Sequence, residues 1–308
     1  MDIRSERGAT LCGFVAIIVW STTAALVRSV SEQFGPVGGA ALIYTLGAIL
    51  LMMLLGRPRF GGVSRFYLIA GSGMFVLFEI CYSLALGYAV TSEQAIQVGV
   101  VVYLWPSLTV LMAVVMNAQP ARWPIIPGTI LALFGIAWVV TVDGLSLTNI
   151  ASNVESNGLS FSLAAACAVI FALYCNVTRR YASGKNLVTT FFILTATALW
   201  VKYAISPEKL PSFTLNGSIE LVAAGLSMAM GYAFWNIGML RGNLTLLATT
   251  SYFGPVFSSM FAACWLGVTL TGQFWQGTLL VTIGSLICWQ ATRVKPIIRN
   301  LHLTDEAL

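Results

Sequence analysis

Long apolar runs separated by short polar stretches organise this chain from end to end. A helix needs about 20 mainly apolar residues to cross the hydrocarbon of a bilayer. Ten segments approach that length: Gly8–Val30, Pro36–Gly56, Phe66–Ala89, Ser92–Met116, Ile125–Val142, Gly158–Tyr181, Leu187–Ser206, Gly217–Leu240, Leu244–Gly267 and Phe274–Thr292. The pattern therefore predicts an all-α integral membrane protein of ten transmembrane helices. The seventh segment is the weakest, being rich in Thr and carrying Lys202. The first follows Arg4 and Arg7, but it is too long for the apolar part of a secretory signal, and no small-x-small cleavage site follows it. It is expected to stay as a helix.

The pattern also repeats. Tyr103-Leu104-Trp105-Pro106 and Tyr252-Phe253-Gly254-Pro255 lie 149 residues apart, and Gly128-Thr129 with Gly135 is matched at the same interval by Gly277-Thr278 with Gly284. Two motifs in one register point to a duplicated half. The expected organisation is a first five-helix half over 1–147, a linker over 148–157, a second five-helix half over 158–293 and a tail over 294–308. Five is odd, so the second half must enter the membrane from the opposite side. The duplication is then an inverted-topology repeat, an arrangement that transporters build around a central site.

Charge orients this scheme. With the amino terminus in the cytoplasm, thirteen Lys and Arg fall on the inner side, and only Arg28, Lys202 and Lys209 on the outer. So strong a bias puts both termini inside. The net charge of +5 is explained by an inner face touching anionic lipid and calls for no nucleic acid. Hydrophobic residues make up 58% and charged residues 9%, which leaves no room for a soluble catalytic domain. The sole histidine, His302, lies in the tail, so histidine-based catalysis and metal binding are not expected in the membrane core. The six cysteines have no metal-like spacing and there is no phosphate-binding Gly-Lys loop. Neither a cofactor nor an enzyme is expected, and nothing in the pattern calls for more than a monomer.

Candidate chemistry gathers mid-membrane. Glu79 is the one acidic residue well inside an apolar segment. A charge there costs roughly 2.5–3.5 kcal/mol on insertion scales, so it is expected to face a cavity or a partner. Tyr82 and Ser83 share its helical face. Its counterpart in the second half is Met228, so the carboxylate belongs to one half only. It is read either as a ligand for a substrate ammonium, as a proton carrier, or as a structural hydrogen-bonding group.

The fourth segment carries Gln97, Tyr103, Trp105 and Pro106; the ninth carries Tyr252 and Pro255. A proline opens a helix about one turn earlier, and the freed carbonyls need protein or water, which marks a cavity. Pro106 and Pro255 are therefore candidate hinges. Tyr103 and Trp105 would point to nearly opposite faces of a straight helix, so both reach a cavity only if the helix is distorted there. In the eighth segment Tyr232, Trp235 and Asn236 share a face, and Trp20 lies mid-membrane in the first. Central Trp and Tyr need partners for their polar groups, which favours a cavity over lipid.

With two five-helix halves, Trp20 before a polar run, the Pro106 and Pro255 helices and the paired Gly-Thr segments, the chain resembles the drug/metabolite transporter superfamily, in its ten-helix EamA-type branch. Within it the aromatic centre, with Tyr82 and Tyr103-Leu104-Trp105-Pro106, is most similar to exporters of aromatic amino acids. The resemblance implies alternating-access export of aromatic and other neutral amino acids across a bacterial inner membrane. It also implies that helices one to four and six to nine surround a central cavity touching Tyr82, Tyr103 and Trp105. An acidic residue with an aromatic box describes an exporter of lipophilic cations and drugs equally well, and a non-transporting membrane scaffold is a third reading.

Overall fold

A computed structural model describes residues 5–58, 60–116, 122–140, 155–182, 186–209, 211–242, 247 and 250–292, without the side chains of 236, 239 and 240. Among the described residues every regular element is helical. In chain order they are α1 (Glu6–Ser21), α2 (Thr23–Phe34), α3 (Pro36–Leu55), α4 (Arg65–Gly87), α5 (Ser92–Val102), α6 (Trp105–Met116), α7 (Ile125–Val140), α8 (Gly158–Tyr181), α9 (Val188–Ala204), α10 (Leu215–Arg241), α11 (Gly254–Leu266) and α12 (Gly272–Ala291). Six stretches are long and apolar enough to cross a membrane, counting α1–α2 and α5–α6 as bent single spans. The helices α7, α9 and α11 are apolar but shorter. The chain is a multi-pass membrane protein.

Three interruptions have local causes. The proline ring clashes with the carbonyl four residues earlier; for Pro106 that is Val102, where α5 ends. Tyr103 and Leu104 then form a tight turn, their N–H groups bonding Val100 O at 3.0 Å and Val101 O at 3.1 Å. For Pro255 the corresponding residue is Ser251, the last helical position before the turn at Tyr252 and Phe253. The third break, at Thr22, needs no proline. Ser21 Oγ donates to Ile17 O at 2.8 Å and Thr22 Oγ1 to Val19 O at 2.7 Å, and such back-bonding hydroxyls bend helices.

One boundary differs from the sequence expectation. The first apolar run is expected to end at Val30, yet the helix continues to Phe34. Its polar residues are satisfied internally: Ser31 Oγ donates to Val27 O at 2.7 Å and Trp265 Nε1 donates to Ser29 Oγ at 3.0 Å. Arg28 itself is buried. Its guanidinium donates to Leu86 O at 3.4 Å, Gly87 O at 3.4 Å and Ala89 O at 2.6 Å, and pairs with Glu32 at 2.8 Å. It thus satisfies carbonyls that the end of α4 leaves without helical partners.

The packing follows small residues. Gly135 lies against Gly277, a Cβ on it falling 2.8 Å from the Gly277 carbonyl, and Gly284 lies against Gly128, with a Cβ 2.6 Å from the Gly128 carbonyl. Contacts that climb one helix while descending the other make α7 and α12 antiparallel. The 149-residue shift turns each of these glycine pairs into the other. The α1–α10 crossing is likewise made by glycines, with a Cβ on Gly238 2.8 Å from Gly13 Cα and one on Gly242 2.8 Å from the Thr10 nitrogen. Helix α4 packs on α8, and α3 packs on α9.

A carboxylate clasps two distant segments. Proline opens α3, Gly35 before it has no capping side chain, and Glu208, from the connection between α9 and α10, takes over. It accepts from Val37 N at 3.0 Å and Gly38 N at 2.9 Å, where the helix dipole also favours an anion. Gly35 has φ +80, and a Cβ there would stand 2.6 Å from Glu208.

The glycine seam yields a prediction. Gly284→Val must push α12 off the α7 backbone, at a cost of about 1–3 kcal/mol. Gly73→Ala, with nothing within 4 Å, serves as the control. Thermal unfolding in detergent should show a clear loss of stability for the first and none for the second.

Candidate functional site

Glu79 is 1% exposed, on the buried face of α4. The Tyr44 hydroxyl from α3 donates to Oε2 at 2.5 Å, and the Tyr232 hydroxyl from α10 donates to Oε1 at 2.6 Å. Ser83, one turn along α4, donates to the Tyr44 oxygen at 3.4 Å. Among the described residues the one ion pair is Arg28 with Glu32, so the partners given to Glu79 are neutral. A carboxylate has about four lone-pair sites; here two take phenol hydrogens.

Rings enclose this carboxylate. Trp105 meets Phe171 edge-on at 4.9 Å, and Phe171 stacks on Phe78 at 4.3 Å and on Tyr174 at 5.8 Å. Tyr174 adjoins Phe75 at 5.5 Å, which adjoins Tyr232 at 5.5 Å. Tyr232 meets Trp20 edge-on at 5.0 Å, and Trp20 meets Trp235 at 5.4 Å. Phe192 of α9 lies between Tyr44 and Tyr232, 5.3 Å from each. The chain of rings runs unbroken from Trp105 to Trp235 and passes Glu79 at its centre.

The first-helix break lies beside this wall. Gly231, lacking a side chain, admits Trp20, whose Nε1 would be 2.4 Å from a Cβ there. At the break, Thr22 and Thr23 hydroxyls lie 2.9 Å and 3.3 Å from Ser227 Oγ, which donates to Val19 O at 2.8 Å. In the 149-residue register Thr22 and Ser227 correspond to Phe171 and Phe78. One interface therefore carries a hydroxyl cluster where its counterpart carries a stacked ring pair.

Of the residues singled out in sequence, Glu79, Ser83, Tyr232, Trp20, Trp235 and Trp105 belong to this cluster directly. Tyr82 joins it by stacking on Phe78 at 6.2 Å. Tyr103 and Trp105 diverge despite the break: Trp105 turns to α8, while Tyr103 turns to α11, where its ring rests on Gly254 beside Ser258. A small cavity there is lined by Tyr103, Ala24, Gly99, Ser258 and Ser259. Gln97 is buried on α5, and Tyr252 is buried against Trp289 of α12 at 6.1 Å; neither is a hydrogen-bond partner given to Glu79. The Asn236 side chain lies outside the described residues. Pro106 and Pro255 are buried at the starts of α6 and α11.

Sequence reasoning missed Tyr44, Phe75, Phe78, Phe171, Tyr174 and Phe192. Phe75 and Phe78 had a signal, lying four and one residues before Glu79 on the same helix. Tyr44 had only the general need of a central phenol for a partner. Arg28, assigned to the outer side from charge alone, is buried, with its charge committed to the end of α4 and to Glu32.

Membrane helices interrupted at prolines, packed in antiparallel pairs around one buried carboxylate and a wall of rings, have the build of a secondary transporter. Comparison with known proteins makes the class definite. The chain belongs to the EamA-like transporter family, whose model matches residues 7–141. It is 49% identical over 290 residues to the aromatic amino acid exporter YddG of Escherichia coli (strain K12), covering 94% of this chain and 99% of that one. It is 50% identical to the exporter of the same name from Salmonella typhimurium, with the same coverage. The YddG of Ancylobacter novellus is 33% identical, with 83% of this chain and 88% of that one covered. A solved structure, described only as a crystal structure of a protein, superposes with a TM-score of 0.65 at 25% identity, over 94% of this chain and 99% of that one. The chain is a transporter, not an enzyme.

Tyr103 and Gly254 give a testable pair. A Cβ on Gly254 would stand 2.8 Å from Tyr103 Cε1, so Gly254→Ala must displace the ring. It should lower thermal stability by about 1–3 kcal/mol. Adding Tyr103→Phe should not restore it, because the clash is with a ring carbon; adding Tyr103→Ala should remove the penalty of the Gly254 change. A double-mutant cycle on melting temperatures checks this.

Proposed function

We propose that the protein exports aromatic and other neutral amino acids across the bacterial inner membrane by alternating access. The observation that carries this is Glu79, a buried carboxylate held by neutral donors inside a continuous wall of rings. A substrate ammonium supplies the cation that this carboxylate lacks, and the substrate side chain packs on the wall, where cation–π attraction adds to the pairing. The hydroxyls of Thr22, Thr23 and Ser227 take the substrate carboxylate, Thr22 and Ser227 giving up their bonds to the Val19 carbonyl as they do so. Near 50% identity to two aromatic amino acid exporters supports the substrate class.

Ten transmembrane helices in two inverted five-helix halves form the machine, with both termini cytoplasmic. The antiparallel α7–α12 pair, whose glycine contacts exchange under the 149-residue shift, supports the inversion, as does the correspondence of α1–α10 with α4–α8. The halves rock about the site and bend at Pro106 and Pro255. Trp20, Tyr82, Ser83, Trp105, Tyr232 and Trp235 line the site with Glu79 as its anchor, and Gln97, Tyr103, Asn236 and Tyr252 lie farther along the path.

Purified protein in liposomes should accumulate labelled phenylalanine, and unlabelled tryptophan should compete with it. Glu79→Gln removes a charge-assisted bond worth about 1.5–3 kcal/mol, so apparent affinity should fall by about tenfold to a hundredfold. Transport of an organic dication with no amino-acid flux would replace this reading with multidrug efflux. No flux of either would leave a scaffold.

The bend has its own measurement. Pro106→Ala restores the hydrogen bond that Pro106 denies to Val102 and straightens the fourth span. Turnover should fall several-fold while phenylalanine binding holds. Full turnover would exclude a hinge at this position.

A further inference from the structure

We propose that the Tyr232 hydroxyl is a stand-in for the substrate ammonium, and that its displacement from Glu79 on binding releases one polar tie between the two halves; this rests on the proposed binding of an amino acid at Glu79. The two donors to the carboxylate are not equivalent. Tyr44 belongs to the same half as Glu79, whereas Tyr232 comes from α10 in the other half, 153 residues away in sequence. Tyr44 is 0% exposed and is also bonded by Ser83. Tyr232 is only half-buried, and its ring abuts Trp20. Tyr232 is therefore the more accessible of the two donors.

Chemistry sets the direction of exchange. A phenol offers one neutral donor, while an ammonium offers three hydrogens and a full charge. Both bonds end on a charged acceptor, but only the ammonium brings an opposite full charge, and the low local dielectric strengthens that attraction. An arriving ammonium displaces the weaker donor on its own side and leaves Tyr44 in place to hold Oε2. The bond that is lost is a direct tie between α4 and α10. Occupancy of the site and freedom of one half to move against the other are thus linked by differential bonding. In the empty protein Tyr232 keeps the buried carboxylate satisfied and the halves joined.

Binding calorimetry on the purified protein tests this with L-phenylalanine and with 3-phenylpropionate, which has the ring and carboxylate but no ammonium. Tyr232→Phe removes the competitor, so phenylalanine should bind more tightly by about tenfold or more, the scale of one hydrogen bond to a charged group. Binding of 3-phenylpropionate should not change. Tyr44→Phe should give no tightening, and in a Glu79→Gln background Tyr232→Phe should have no effect. On wild-type protein, an infrared difference spectrum on adding phenylalanine should show one tyrosine C–O band leaving its carboxylate-bonded position. That band needs no mutant to fold, and its absence overturns the exchange. If Glu79→Gln keeps the preference for phenylalanine over 3-phenylpropionate, the underlying reading of Glu79 fails. If that preference is lost but Tyr232→Phe does not tighten binding, or Tyr44→Phe tightens it equally, the exchange at Tyr232 is overturned while the binding role of Glu79 stands.

Discussion

A single carboxylate buried in a membrane bundle sets the terms for the structure around it. Glu79 is enclosed by apolar helices, and an isolated ion so placed is costly unless hydrogen-bonded. The two phenols that meet it come from α3 and α10, so both helices must hold their places to a fraction of an ångström. Their placement rests in turn on close backbone approaches: Gly47 against Phe192, Gly231 against Trp20 and Gly238 against Gly13. The small residues lock the helices, the helices aim the phenols, and the phenols make the carboxylate tolerable. A bilayer offers no hydrophobic drive for helices to associate, so this close packing has to be supplied by the residues themselves.

On the proposed duplication and function, mechanics and chemistry fall to different residues. Pro106 and Pro255 interrupt their spans by one mechanism, four residues after Val102 and Ser251 in turn, and the glycine seam of α7 with α12 maps onto itself. What the halves share is thus bending and packing. What they do not share lies at the centre: Glu79 against Met228, Trp105 against Gly254, and the stacked Phe78–Phe171 pair against the hydroxyls of Ser227 and Thr22. A symmetric frame can reverse its direction of opening, while an asymmetric lining gives a zwitterion distinct places for its two ends.

Much of the frame was legible in the chain. The apolar stretches, the repeated prolines and the repeated Gly-Thr segments appear in the sequence as letters; six described stretches are long and apolar enough to span a membrane, and the repeats fall at breaks and at a helix seam. The break at Thr22 was harder, because hydroxyls that bond back to their own helix look the same in sequence as hydroxyls facing a cavity. The surroundings of Arg28 were hidden for a related reason: its neighbours read as a polar helix end, although the helix continues to Phe34 and the charge is used by the carbonyls of α4. The centre was half legible. Residues on Glu79's own helix could be found by helical spacing, but Tyr44 and Phe171 reach it through tertiary packing, which no local pattern reports. The separation of Tyr103 from Trp105 was foreseen for a straight helix, and the proline break does not undo it.

Aromatic preference follows from how full the centre already is. With Glu79 1% exposed and rings in contact from Trp105 to Trp235, a substrate finds its place by parting rings that now touch each other. Each separated pair gives up edge or stacking contacts worth about 0.5–1.5 kcal/mol beyond the area they bury. A substrate that brings its own ring restores those contacts on both of its faces. An aliphatic side chain fills part of the space and leaves the wall unpaired, with the added cost of imperfect packing in a medium that does not collapse freely. On the proposed function, selectivity would then be a property of the wall and orientation a property of Glu79. The wall favours aromatic over aliphatic substrates by degree, while the carboxylate separates amino acids from ring compounds that have no ammonium.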